Sequence, residues 1–346
     1  MDTVTELPML TILDALPGGF LNCEPTRLHT ILSGPTLIHL EGRRSPPVFV
    51  SILLHGNEYT GLLAVQKLLR RYQGRGLPRA LSIFVGNVAA ARFGLRRLDH
   101  QPDYNRIWQG NGTPEHDAVQ RVVEEMAQRK VVASIDIHNN TGHNPHYACI
   151  NRLDHRFLHL AALFNRTVVY FTKPEGVQSA AFARLCPAVT LECGRPGEPR
   201  GIEHAFRYLD AALNLSELPA HPVVPGDIDL FHTVAIVKIP RDISFGFGDT
   251  STDIRFIEDL DRLNFSELPA GTCLAHTDPN KRARLDVRDE RGEEVSSAYF
   301  TFDDQRICTR TEVMPAMLTL NPQVIRQDCL CYLMERLPVP EASQHY

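Results

Sequence analysis

The sequence predicts an α/β fold, with a mainly parallel or mixed sheet flanked by helices and a smaller all-β domain at the carboxyl end. Three observations predict it. From residue 48 to residue 215, short apolar runs alternate with amphipathic stretches. The apolar runs are rich in Val and Ile and several end abruptly at a polar residue, the pattern of buried parallel strands. At Pro219, Pro222 and Pro225 the texture changes, and short β-rich runs follow with turn residues between them. The chain of 346 residues therefore divides into an α/β domain over 1–219 and a β-rich domain over 220–346.

The elements follow in order. Residues 1–45 hold one or two short strands, with 36–40 as the clearest, before the loop Arg43-Arg44-Ser45-Pro46-Pro47. Residues 48–54 (VFVSILL) form a strand that stops at His55-Gly56-Asn57-Glu58. Gly56 permits the tight turn there. Leu62, Leu63, Val65, Leu68 and Leu69 recur at helical spacing over 58–72, with arginines at the end. Residues 81–85 are a second buried strand, ending at Gly86-Asn87. The stretch 87–114 is irregular and rich in Arg, Asp and Asn, but Phe93, Leu98, Tyr104, Ile107 and Trp108 argue that it is ordered. Long ordered loops in compact domains are usually functional. Residues 114–130 form an amphipathic helix, and 131–137 a third strand running into Asp136-Ile137-His138-Asn139. Strands at 147–150, 167–171 and 188–191, the last ending at Glu192, alternate with helices at 154–164 and 201–215. Beyond Pro225, strands are expected at 233–239, 253–257, 272–276 and 298–302, with a strand or short helix at 323–336.

Composition excludes several function classes. Apolar residues make up 43% and charged residues 22%, as in a globular protein. The net charge of −5 and pI near 6.3 leave no basic face for nucleic acid, so an anionic substrate must be held by local arginines. The start of the chain carries acids in place of a basic leader, and Asp14 and Pro17-Gly18-Gly19 break its apolar residues, so no secretory signal is read. No apolar run approaches the ~20 residues of a membrane span. The cytoplasm is the expected location. The eight cysteines are scattered without a Cys-x-x-Cys pair, and reduced thiols are expected. The expected partner is a small molecule carrying a carboxylate, with no nucleic acid and no membrane; a homo-oligomer is left open.

His55 with Glu58, Asn87, His138 and Glu192 all fall just past a strand. In a parallel sheet these ends share one edge, where open α/β sheets bind ligands. A His-x-x-Glu pair by itself is as often a surface turn; its weight comes from the combination. His55, Glu58 and His138 make two histidines and one carboxylate with a fourth position open, the ligand set of a catalytic zinc ion, one per chain. Water on such an ion has a pKa of about 7. Glu192 reads either as a capping acid or as the general base for that water. Arg92, Arg96, Arg97, Asn105 and Arg106 lie in one loop. A lone arginine is ordinarily a solvated charge, but several beside a metal suit recognition of a carboxylate or polarisation of a carbonyl. Asp99 and Asp103 are expected to hold these arginines in place. His143 and His146 are expected at the pocket wall or surface, and Cys193 as a core thiol with no histidine placed to activate it.

His55-Gly56-Asn57-Glu58, Gly86-Asn87 through Ala90, Arg92, Gly94, Arg96, Leu98, Asp99, Asp103-Tyr104-Asn105-Arg106, Asp136-Ile137-His138 and Thr190-Leu191-Glu192 occur in that order. They resemble the succinylglutamate desuccinylase/aspartoacylase family of the zinc carboxypeptidase superfamily. Asn264 through Thr272 (NFSELPAGT) resembles the family's C-terminal domain. The resemblance implies a carboxypeptidase-like catalytic domain over 1–219 and a β-rich domain that partly covers the active-site mouth. It implies His55, Glu58 and His138 as zinc ligands, Glu192 as the catalytic glutamate, and Arg96 as the arginine at the scissile carbonyl. Asn105 and Arg106 match the pair that binds a substrate carboxylate. The chain is a little longer than the family between Asp99 and Asn105, which leaves Arg96 and Arg97 both open for the carbonyl, Arg97 otherwise serving substrate binding. The loop Asn139-Asn140-Thr141-Gly142-His143-Asn144-Pro145-His146 departs from both named enzymes, so the pocket is expected to differ. The function implied is zinc-dependent hydrolysis of the amide bond of a small N-acyl amino acid, with zinc-bound water activated by Glu192. The alternative is a metallocarboxypeptidase or an amidase acting on peptidoglycan peptides with the same zinc site.

Overall fold

A computed structural model of the chain describes residues 9–110, 112–248, 251–278 and 283–340. The first eight residues, on which the reading of the chain's start partly rests, lie outside the described residues.

The centre of the fold is a block of four parallel strands, in the spatial order β4 (Leu81–Val85), β3 (Val48–Ile52), β5 (Ala133–His138) and β8 (Ala188–Glu192). Every residue of these four strands is buried. That burial on both faces explains why they read as continuous apolar runs rather than as alternating ones. On one side β2 (Thr36–Leu40) pairs antiparallel with β4, and β1 (Thr11–Leu13) parallel with β2. On the other side β6 (Tyr147–Ile150) runs antiparallel to β8, and β7 (Thr167–Tyr170) parallel to β6. Among the helices, α1 (Thr60–Tyr72), α2 (Val88–Ala91), α3 (Pro114–Gln128), α4 (His155–Ala162), α5 (Gln178–Phe182) and α6 (Pro199–Asn214) belong to this part of the chain. The first, α1, packs on α6 and approaches the sheet so closely that a Cβ on Gly61 would lie 2.8 Å from the Ile52 side chain.

The irregular stretch after β4 is pinned by aromatic packing. Trp108 meets Phe84 and Phe182 edge-on at 5.8 and 5.9 Å, and Phe182 stacks on Phe49 at 4.3 Å. Trp108 Nε1 also donates to the Tyr104 carbonyl at 2.8 Å. Burying an aromatic of this size holds the whole loop against the sheet.

Beyond Pro225 the chain is β-rich, and its strands divide between two sheets. A separate five-stranded sheet is present, in the order β10 (Phe245–Phe247), β11 (Ile254–Phe256), β12 (Cys273–Thr277), β15 (Arg306–Thr309) and β14 (Phe300–Asp303). Four further strands join the large sheet. These are β9 (Asp229–Lys238) beside β7, then β17 (Cys331–Arg336) and β16 (Met314–Ala316), with β13 (Asp286–Asp289) also on β9. The alternating burial of β9 suits a strand with one covered face. By pairing with β7 it covers an edge that would otherwise be left open. Two short helices, α7 (Ser296–Tyr299) and α8 (Pro322–Gln327), interrupt the strands. Residues 323–336 are thus helix and strand in succession.

The expectation of reduced thiols throughout is corrected. Cys273 and Cys308, paired across β12 and β15, form a disulfide, while Cys23, Cys149, Cys186, Cys193, Cys329 and Cys331 are free. Neighbouring strands bring the two together across 35 residues of sequence, a proximity that sequence spacing does not reveal. No helix among the described residues is long and apolar enough to cross a membrane.

Candidate functional site

The four central strands deliver polar residues to one edge. After β3 the chain turns at His55-Gly56, and Gly56 lies against the backbone of Ala90 and Ala91. A Cβ there would fall 2.2 Å from the Ala91 nitrogen, so the close approach of the two turns requires glycine. Strand β5 carries Asp136 and His138 two residues apart, hence on the same face. Ser51 on the neighbouring strand donates to Asp136 Oδ1 at 2.7 Å.

His55, Glu58 and His138 come together and are buried. His55 Nδ1 lies 2.8 Å from Glu58 Oε1, and His138 Nδ1 lies 2.7 Å from Glu58 Oε2. Their donor atoms all lie within 4.8 Å of one another. The opposite nitrogens also face carboxylates, His55 Nε2 to Asp103 Oδ1 at 2.9 Å and His138 Nε2 to Asp136 Oδ2 at 2.8 Å. A carboxylate behind each imidazole fixes its orientation and raises its basicity, the usual support of a metal-binding histidine. Two imidazoles and a carboxylate, each held from behind, fit a zinc ion.

The electrostatics agree with a site built for positive charge. Burial alone would raise the Glu58 carboxyl, but His55 and His138 hold it well below the usual carboxylate range. Burial and Arg96 would lower His55, yet Glu58 and Asp103 leave it raised. Burial opposes His138 as well, but Asp136 and Glu58 hold it well above its ordinary value. Three carboxylates, Glu58, Asp103 and Asp136, thus converge on two imidazoles.

Glu192 ends β8, directly beside His138 in the register of β5 and β8. Burial pushes its carboxyl up to about 7, against the pull of His138. Asn140 Nδ2 donates to it at 3.4 Å. Arg96 reaches the His55–Glu58–His138 cluster: its Nη1 is 3.7 Å from Glu58 Oε1, and its Nε and Nη2 donate to Asp103 Oδ2 at 3.2 and 3.0 Å. Arg97 is placed elsewhere. It donates to the Gln101 carbonyl at 2.9 Å and is not among the residues lining the cavity. Asp103 therefore serves both His55 and Arg96, while Asp99 and Arg92 are exposed.

Asn105 is tied into the frame of the site. Its Oδ1 accepts from the Gln178 backbone N–H at 2.9 Å, and its Nδ2 is 3.2 Å from His138 Nε2. Arg106 lines the cavity and pairs with Asp328, with 3.1 Å between Nη2 and Oδ1. His143 lies 3.9 Å from Asp261 and His146 lies 2.8 Å from His204, so neither joins the cluster of His55, Glu58 and His138. Cys193 is buried, and burial holds its thiol well above the ordinary value, as for a core thiol.

His55, Glu58, Arg96, Asn105, Arg106, His138 and Glu192 line a cavity of about 100 Å³. One wall is apolar, formed by Tyr147, Cys149, Val169, Phe171, Met317 and Met334. Met317, Asp328, Tyr332 and Met334 come from the far end of the chain, and sequence order gave no signal for them. The loop after His138 is braced against the same segment. A Cβ on Gly142 would meet the Leu318 carbonyl oxygen at 1.8 Å, and Asn144 Oδ1 accepts from the Met317 N–H at 3.0 Å. Asp136 was legible in principle, since an Asp-x-His pair on a strand puts both side chains on one face.

The model of the succinylglutamate desuccinylase/aspartoacylase catalytic domain matches residues 45–215. No curated protein matches the chain. Among solved structures it is similar to a succinylglutamate desuccinylase from Chromobacterium violaceum, at 18% identity over 87% of each chain and a TM-score of 0.56. It is also similar to the ectoine utilization protein EutE (DoeB) from Ruegeria pomeroyi, at 16% identity over 87% of this chain and 88% of that one, with a TM-score of 0.59. Murine aminoacylase 3 matches at 16% identity over 86% of this chain and 98% of that one, with a TM-score of 0.51. At these identities the likeness to the solved structures is one of fold.

Proposed function

Because the chain belongs to the succinylglutamate desuccinylase/aspartoacylase family, we propose that it is a zinc-dependent amidohydrolase that removes the acyl group from a small N-acyl amino acid. The observation that carries this reading is the convergence of His55, Glu58 and His138 in one cavity with Glu192 and Arg96.

His55, Glu58 and His138 would hold the zinc ion. When bound, it supplies a Lewis acid and lowers the pKa of water from 15.7 to about 7. Glu192 takes a proton from the attacking water on its carboxylate and returns it to the departing nitrogen. Its buried, raised carboxyl suits both halves of that transfer. Arg96 aims N–H donors at the oxygen on which charge develops, held there by Asp103. Arg106 holds the substrate carboxylate and so fixes the direction in which the amide is presented. Asn105 assists less as a contact than as a brace for His138. The apolar wall takes the uncharged part of the acyl group or side chain. The products are a free amino acid and a small carboxylic acid.

Residues from the C-terminal segment over the cavity favour small substrates over peptides. A panel of N-acetyl, N-succinyl and longer N-acyl amino acids, with short peptides alongside, tests the reading on zinc-loaded protein. Released amine from an acyl amino acid is the expected result; release from peptides alone would replace this reading with a carboxypeptidase. The two arginines separate in the same assay. Arg96→Ala should lower kcat by about a hundredfold, the scale of losing one oxyanion donor, whereas Arg97→Ala should stay within about twofold of the parent, as surface changes do. Equal losses in the two variants would show that Arg96 has no special place. The cytoplasmic location is part of the proposal, and cell fractionation checks it.

A further inference from the structure

Arg106 already carries a carboxylate, and the chain itself supplies it. Asp328 Oδ1 is 3.1 Å from Arg106 Nη2, and its Oδ2 is 3.6 Å from Arg96 Nη2. Among the described residues Arg96 and Arg106 form ion pairs with Asp328, and the Asp103 charge also acts on Arg106 from farther away. All three line the cavity. The side chains of Arg106 and Asp328 keep 27% and 22% of their surface accessible, so the pair faces the space a substrate would enter rather than a closed core.

The geometry has a physical reason. A guanidinium set into a cavity wall is favoured by a nearby counter-charge. Asp328 provides it from 222 residues away in sequence. It sits at the carboxyl end of the six-residue helix α8, at φ −130° and ψ −88°, just before β17. Asp328 engages Arg106 Nη2 while Nη1 donates to the Asn105 carbonyl at 2.8 Å, so an incoming carboxylate that takes up Nη2 competes with Asp328 for it.

We propose that Asp328 is a specificity-determining residue that occupies the carboxylate position on Arg106 and is exchanged for the carboxylate of the substrate. This rests on the reading of Arg106 as the carboxylate receptor. Asp328 sets how strongly the site prefers an acid over its neutral analogue. Carboxylate ligands bind only to the fraction of molecules in which Arg106 has been released, so their apparent affinity is lowered by that fraction. A carboxamide, which makes no claim on the guanidinium charge, is not penalised in this way.

The test uses zinc-loaded full-length protein and two small ligands, succinate and its monoamide. Succinate carries two carboxylates and its monoamide one, so only succinate could place a carboxylate on Arg106 while a second lies at His55, Glu58 and His138. In Asp328→Asn and Asp328→Ala, calorimetry should show succinate binding at least about tenfold tighter than in the parent, with the monoamide within about twofold. Unchanged or weaker succinate binding in the variants would overturn the exchange and make Asp328 a permanent partner of the arginines. In the unsubstituted protein, succinate should speed amide hydrogen exchange in the segment 322–331 while the monoamide does not. Equal protection with both ligands would also overturn the proposal, whether or not the variants fold. Because these readouts are binding and exchange, a failure to hydrolyse any acyl amino acid would reject the proposed activity without deciding the role of Asp328.

Discussion

Glu192→Gln lowers turnover by about a thousandfold, within the range for loss of a general acid–base, while fold and zinc content stay at parent levels. The substitution is nearly isosteric, and Glu192 is not one of the three clustered ligand residues. Glutamine can keep the contact with Asn140 that now lies at 3.4 Å. What it cannot do is accept a proton from water. The pH profile gives the same residue a second signature. A base works only when deprotonated, so kcat/KM falls as pH drops through its pKa. Burial pushes that value up to about 7 and a bound cation beside it would favour the carboxylate, so the acid limb lies at or below that pH. In Glu192→Gln this limb disappears from the residual rate. Near-parent turnover in that variant, with the limb intact, would sink the assignment.

His138→Ala should remove both the metal and the activity. The loss reaches beyond one ligand, because His138 also links Glu58 at 2.7 Å to Asp136 at 2.8 Å. With the imidazole gone, two buried carboxylates lose their shared partner. Asp136→Asn is the finer probe. It keeps all three ligands but weakens the acceptor behind His138 Nε2, and zinc affinity should fall about 10- to 100-fold, as for other outer-shell partners. Zinc content after dialysis against graded chelator reads both effects. A His138→Ala protein that still holds one zinc ion per chain would mean that the ion sits elsewhere.

Much of this was legible in the sequence because strand ends carry their own punctuation. VFVSILL stopping at His55, and SIDI running into His138, mark buried parallel strands by their apolar continuity and abrupt polar ends. Once the strands are parallel and adjacent, the edge that gathers His55, Glu58, His138 and Glu192 follows. The loop 87–114 was harder. Its arginines were visible, but only packing distinguishes Arg96, braced by Asp103 beside Glu58, from Arg97, turned to the Gln101 carbonyl.

The local chemistry of the candidate metal-ligand and base residues, and the α/β class that assembles them, were legible in the sequence itself. Short-range rules carry that information: periodicity, turn residues and side-chain type at strand ends. Tertiary structure alone decided the rest. It joined β9, β17 and β16 to the large sheet, bonded Cys273 to Cys308, and placed Asp328 against Arg106 across 222 residues. No local pattern encodes such pairings, because they depend on how distant segments cover open edges and buried charges once the chain has collapsed.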